Sequence, residues 1–173
     1  ESIHCNSKLR KKYTRCIRDA ILQSDATFIS KHYIIGDFWN VVDFTVVGDA
    51  VFELLSSKTT IPKKLSEFIV ASRRLNFLIR FTYQHGPTLS LQDAIYNQWF
   101  DGVAWLLTEG AEIGEGCLGP AMRHARIFRE LTVYNPPTLE KDWAEFQLQC
   151  KLKRIPDIPL VEEWFWINGF KNE

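Results

Sequence analysis

The sequence has no long apolar run and no net charge. No stretch approaches the roughly 20 apolar residues needed to cross a bilayer, so no membrane span is expected. The 21 basic and 21 acidic residues cancel, which disfavours non-specific nucleic-acid binding through whole-chain charge. Closely spaced cysteines are also missing. Cys5, Cys16, Cys117 and Cys150 never approach the two-to-four-residue separation of a zinc site, so no metal is expected. No Asn-X-Ser/Thr acceptor occurs, which is neutral on secretion. The chain begins at Glu1 and not at Met, so a processed or trimmed form is expected.

What is present is apolar and aromatic. Hydrophobic residues make up 46% and aromatics 13% of 173 residues, including twelve Phe and six Trp. That is too rich for a disordered chain and enough for the core of one domain over residues 1–173.

Residues 91–113 read LQDAIYNQWFDGVAWLLTEGAEI, two short helices followed by a Gly-Ala loop. Leu91, Ala94 and Ile95 form one apolar face, and Val103, Leu106 and Leu107 form the next, at helical spacing. Gly110 falls where the second helix should end. This stretch resembles an ankyrin repeat.

The same frame can be laid at Ile17, Val41, Leu65, Leu91 and Leu118, offset by 24, 24, 26 and 27 residues. Ala20, Phe44, Phe68, Ala94 and Ala121 then occupy its fourth position, and Trp143 opens a sixth, degenerate copy. Periods of this size point to a solenoid whose units bury their apolar faces on one another. The units are shorter than the roughly 33 residues of an ankyrin repeat, lack room for its hairpin, and lack its Thr-Pro-Leu-His start. The expected fold is all-α: an α-solenoid of about five to six short helix-turn-helix repeats, ankyrin-like without hairpin fingers.

Residues 1–16 form a basic N-terminal cap, with Lys8, Arg10, Lys11, Lys12, Arg15 and then Arg18 opposed by few acids. It reads as a solvated cap, a localisation signal or a contact for an acidic partner. Residues 17–155 hold the repeats, with Ser24 or Asp25 as a cap, a polar linker at 56–62 and a firm stop at His85-Gly86-Pro87. Gly119-Pro120 should open the fifth unit, and Thr138 should cap the next helix. Residues 156–173 form a C-terminal capping helix whose Trp164-Phe165-Trp166 seals the last repeat or presents an aromatic patch.

Four cysteines allow three connectivities. In a solenoid Cys16 and Cys117 lie far apart, leaving Cys5–Cys16 and Cys117–Cys150 as possible disulfides. The alternative is four reduced thiols in a cytoplasmic protein. Tyr13 sits between the first two cysteines and Tyr134 between the last two. That doubled Cys-Tyr-Cys pattern is similar to a secreted effector family of gall-forming aphids named for it, although the two spacings differ.

No catalytic signal is specific. Residues 114–119 match G-x-G-x-x-G, but a helix and not a strand precedes them, so no cofactor is expected. Cys117 with His124 would be a nucleophile pair without a third orienting group. The resemblance implies a non-enzymatic protein-binding module. Divergent repeats and possible disulfides suggest a secreted virulence effector acting inside host cells on a host protein, as a monomer. A small enzyme with a Cys/His site and a basic-patch nucleic-acid binder are the alternatives. Trp39, Trp99, Phe100, Arg123 and Arg126 lie at turns and unit starts, and aromatics and Arg dominate binding hot spots, so they are the expected partner contacts.

Overall fold

The structure is a computed structural model that describes residues 7–32, 38, 42, 46–58 and 62–171. Eleven α-helices and no strand occur among the described residues, in keeping with the expected all-α class. The helices are α1 (Ser7–Leu22), α2 (Ala26–His32), α3 (Asp49–Lys58), α4 (Pro62–Ala71), α5 (Leu75–His85), α6 (Thr88–Tyr96), α7 (Phe100–Thr108), α8 (Leu118–Ala121), α9 (Ala125–Val133), α10 (Glu140–Lys151) and α11 (Ile158–Ile167). None of the described helices is long and apolar enough to cross a membrane. The chain divides into two compact units, Glu1–Phe77 and Leu78–Glu173, and the division falls within α5.

In the first unit, α1 runs unbroken through the expected boundary between cap and repeats. Ile17, Ala20 and Ile21 are its buried residues, at the three-and-four spacing of one helical face. Asp25 caps α2: its Oδ1 accepts the Phe28 amide at 2.9 Å. The valine-rich second unit, equally suited to a strand by composition, is helical from Asp49. Val51, Phe52 and Leu55 point inward there. The expected linker at 56–62 starts too early, because α3 continues to Lys58 and keeps Ser56 buried. Phe52 stacks on Phe77 with centroids 4.1 Å apart. Arg74 lies 3.8 Å above the same Phe77 ring, and its guanidinium donates to the Val47 carbonyl. Burying side chains of this size contributes about 1.5–3 kcal/mol each.

The second unit has an ordered pairing. α6 packs on α7; α8 packs on α6 and α10 on α8, while α9 packs on α7 and α11 on α9. First helices thus contact first helices and second contact second, in two rows. Leu91, Ala94 and Ile95 of α6 and Val103, Leu106 and Leu107 of α7 are all buried, as their spacing predicts. Two polar links join residues 24 apart in sequence. Thr88 Oγ1 accepts the Glu112 amide at 3.0 Å, and Gln92 Nε2 donates to the Gly116 carbonyl at 3.5 Å. Beneath α10 and α11, Trp143, Phe146, Phe165 and Phe170 form an aromatic cluster, with centroids of 5.2 Å for Trp143–Phe165 and 5.3 Å for Phe146–Phe165. Phe165 therefore faces inward, whereas Trp166 is exposed.

The turns after α1, α4 and α6 share one hydrogen-bond pattern, which recurs after α7 and α10. The Asp25 amide donates to Ala20 at 2.8 Å, Arg74 to Ile69 at 3.5 Å, and Trp99 to Ala94 at 3.0 Å. The preceding amides of Ser24, Arg73 and Gln98 donate to Ile21, Val70 and Ile95. These are Schellman turns, and Ser24, Arg73 and Gln98 hold the required left-handed conformation at φ 53°, 53° and 52°. Ile69, not Phe68, is therefore the counterpart of Ala20 and Ala94, one residue later than the sequence frame places it. The turn after α8 is tighter, with His124 donating to Ala121 at 2.9 Å. Gly119-Pro120 does not open a long helix: α8 is a single turn, since glycine is costly within a helix and proline supplies no amide.

Candidate functional site

The second unit carries a cleft of about 430 Å³ lined by Tyr96, Gln98, Gly116, Gly119, Pro120, Arg123, Lys141, Asp142 and Glu145. All lining residues but Gly116, which sits in the loop from α7 to α8, belong to first-row helices or to turns leaving them. Tyr96 and Gln98 come from the end of α6, Gly119 and Pro120 from α8, Arg123 from the turn after it, and the last three from α10. Small residues open the floor. A Cβ on Gly119 would touch Glu145 Cγ at 3.4 Å, and Gly116, at φ +84°, lies under the Gln92 amide.

The charges on the walls are unevenly satisfied. Lys141 pairs with Glu115, and Glu145 accepts from Gln149 Nε2. Asp142 is buried, and its Oδ2 accepts the Leu139 amide at 3.0 Å, which fixes the start of α10. Asp142 thereby takes the capping role expected of Thr138, whose hydroxyl is buried without a partner. Arg123 is exposed and has no carboxylate partner among the described residues. The cleft therefore offers one unpaired guanidinium, a phenol, an amide and a small-residue floor. That set suits an extended chain with a carboxylate near Arg123 and an apolar group against Tyr96 and Pro120.

Of the residues expected to bind a partner, only Arg123 lies in the cleft. Trp99 was expected on an exposed turn, but it is 5% exposed, with its indole laid against Gly102. The Schellman turn before it directs the chain back onto the core, so a bulky residue there packs inward. Phe100 is half-buried and Arg126 exposed, and they satisfy each other: the Arg126 Cζ lies 3.6 Å above the Phe100 ring, tying α9 to α7. Trp39 lies outside the described residues.

The expected disulfides are corrected in the same way. Cys16, Cys117 and Cys150 are free thiols; Cys5 lies outside the described residues. Cys117 lies near Asp142 at one end of α10, whereas Cys150 faces Glu162 at the other. Eight residues of helix, about 12 Å, separate Asp142 from Cys150, beyond the reach of a disulfide from Cys117. Burial pushes the Cys117 thiol above its ordinary value; Asp142 adds to this and a hydrogen bond from the Gly114 backbone opposes it. A thiol held protonated is a poor nucleophile. His124 Nδ1 is occupied as well, accepting the Ile127 amide at 3.3 Å as the cap of α9.

Lys141, Gln98, Asp142 and Glu145 escape a reading of the sequence because the packing of both α6 and α10 on α8 brings them to one cleft. Two local signs were available: Gln98 occupies the same turn slot as Ser24, and Asp142 follows Leu139 at the spacing of a helix-start carboxylate. No protein-family model, no curated protein and no solved structure matches the chain.

Proposed function

We propose that the protein is a protein-binding module: a short-period α-solenoid whose second unit takes an extended segment of a partner in the cleft between Tyr96, Pro120, Arg123 and Glu145. The observation that carries this reading is the cleft's construction from successive first-row helices and turns, which gives a continuous surface across neighbouring units. The helix pairing and the links between residues 24 apart, close to the spacing of the sequence frames, support the solenoid reading. The unpaired Arg123 supplies a charge-assisted contact for a carboxylate of the partner. No described bridge supports secretion, since Cys16, Cys117 and Cys150 are free, and the effector reading rests on the sequence resemblances.

Selection of a random-peptide library on the immobilised full chain tests this, with Gly119→Leu and Arg123→Glu as separate counter-targets. Peptides that lose at least about tenfold in affinity on both variants support the cleft, since 1.4 kcal/mol is tenfold. Peptides that bind all three proteins equally remove it as the binding site. Circular dichroism of the variants checks that the helices are retained.

A further inference from the structure

The longest described helix, α1, carries a charge distribution that its role in packing does not require. Its sequence is SKLRKKYTRCIRDAIL, in which Asp19 is the only acid. At 100° per residue, Lys8, Lys11, Lys12, Arg15 and Arg18 fall within one arc about 120° wide, opposite the buried Ile17, Ala20 and Ile21. All five are exposed. Lys11, Lys12, Arg15 and Arg18 have no carboxylate partner among the described residues. The stripe is about 15 Å long, and its like charges sit three and four residues apart, an arrangement that opposes helix formation. Asp19 is exposed within the same arc, so the face carries five cations against one acid, where a merely solvated face normally mixes signs more evenly.

We propose that this stripe is a docking surface for an acidic helical segment of a partner protein, with carboxylates spaced three and four residues apart. The pairing matches spacing for spacing, as flanking charges do between two packed helices. Leu22 lies within the same arc and is 59% exposed, providing an apolar anchor at the end of the stripe.

Other polyanions fit the observations less well. Residues 1–18 hold six of the 21 basic residues but one of the 21 acidic ones, so the remainder of the chain is net negative and repels an extended nucleic acid. The exposed face of α1 presents no aromatic, Asn or Gln to stack on or read a base. Its exposed apolar residues, Leu9 and Leu22, sit at opposite ends of the helix and about 140° apart around it, so they form no continuous apolar face to insert into a lipid surface.

The test measures binding of the full chain to four probes. They are an Ala-based helical peptide with Glu at positions i, i+4, i+7 and i+11, a peptide of the same composition with Glu spread around the helix, duplex DNA, and vesicles of equal phosphatidylserine and phosphatidylcholine. The striped peptide should bind at least tenfold tighter than the scrambled one and weaken with salt. It should lose at least tenfold on Lys11→Glu/Arg15→Glu and on the milder Lys11→Gln/Arg15→Gln. Equal binding of the two peptides, tighter binding to DNA or vesicles, or no binding of the striped peptide overturns the proposal. Both substituted positions are exposed, so retained helicity by circular dichroism separates lost docking from lost folding. The Arg123→Glu variant, altered only in the cleft, should bind the striped peptide unchanged.

Discussion

Gly102 shows how one missing Cβ sets a local fold. The Trp99 indole lies where that Cβ would be, closer than 3.0 Å to three ring atoms. Neither partner can yield, because both are buried in the start of α7. Gly102→Ala should therefore destabilise the protein by about 1–3 kcal/mol, despite alanine's better helix propensity, read as a lower urea midpoint at unchanged slope. Cys117 makes a second residue-level prediction, about pH. Its folded thiol ionises above the ordinary 9.0, whereas the unfolded thiol ionises near it. Above pH 9 the folded state thus binds more protons than the unfolded state, and stability falls as pH rises. Below pH 9 the thiol contributes no pH dependence. Urea midpoints followed from pH 7 to 10 should decline less steeply in Cys117→Ala than in the unaltered chain. At neutral pH, labelling of Cys117 should be far slower than that of exposed Cys16.

At the scale of elements, the turns decide how the helices pair. A left-handed residue other than glycine is strained, and Gln98 accepts that strain to close the α6–α7 turn. Gln98→Gly should stabilise by about 0.5 kcal/mol, because relief of the strain exceeds the added backbone entropy. Gly110→Ala, at φ +88°, should cost about 1 kcal/mol by the same physics in reverse. Thermal unfolding of both variants checks the pair of signs. These elements differ in how readily the sequence discloses them. The helices of 91–108 were legible because Leu91, Ala94, Ile95, Val103, Leu106 and Leu107 keep one period and all of them are buried. The Gly110 and Gly86 stops were legible for the same local reason. The register of α4 was not, because Phe68 and Ile69 are both apolar and only the folded chain distinguishes them, by the burial of Ile69 and its hydrogen bond from Arg74. Trp99 was misread because an aromatic at a turn shows its burial only through its neighbour, Gly102. The cleft was illegible because contacts between successive helix pairs, not any motif, gather its residues.

At the scale of the whole molecule, zero net charge conceals a segregated one. The chain is isoelectric near pH 7.1, yet residues 1–18 hold six of its 21 basic residues and only one of its 21 acidic ones. Self-attraction between unlike patches should be strongest at neutral pH and low salt. Light scattering at about 20 mM salt should show increased association near pH 7, reversed by about 200 mM salt. Association that persists or grows at high salt would point to apolar contacts instead. The recurring turns have a wider consequence. Their hydrogen bonds are all between backbone groups, and Ser24, Arg73 and Gln98 fill one slot with unrelated side chains. That one slot can thus change its side chain while the turn is kept, whereas the residue after it is held by the fold: Asp25 caps α2, Arg74 reaches the Val47 carbonyl and Trp99 is buried. Tolerance to mutation in these turns is therefore confined to one position each.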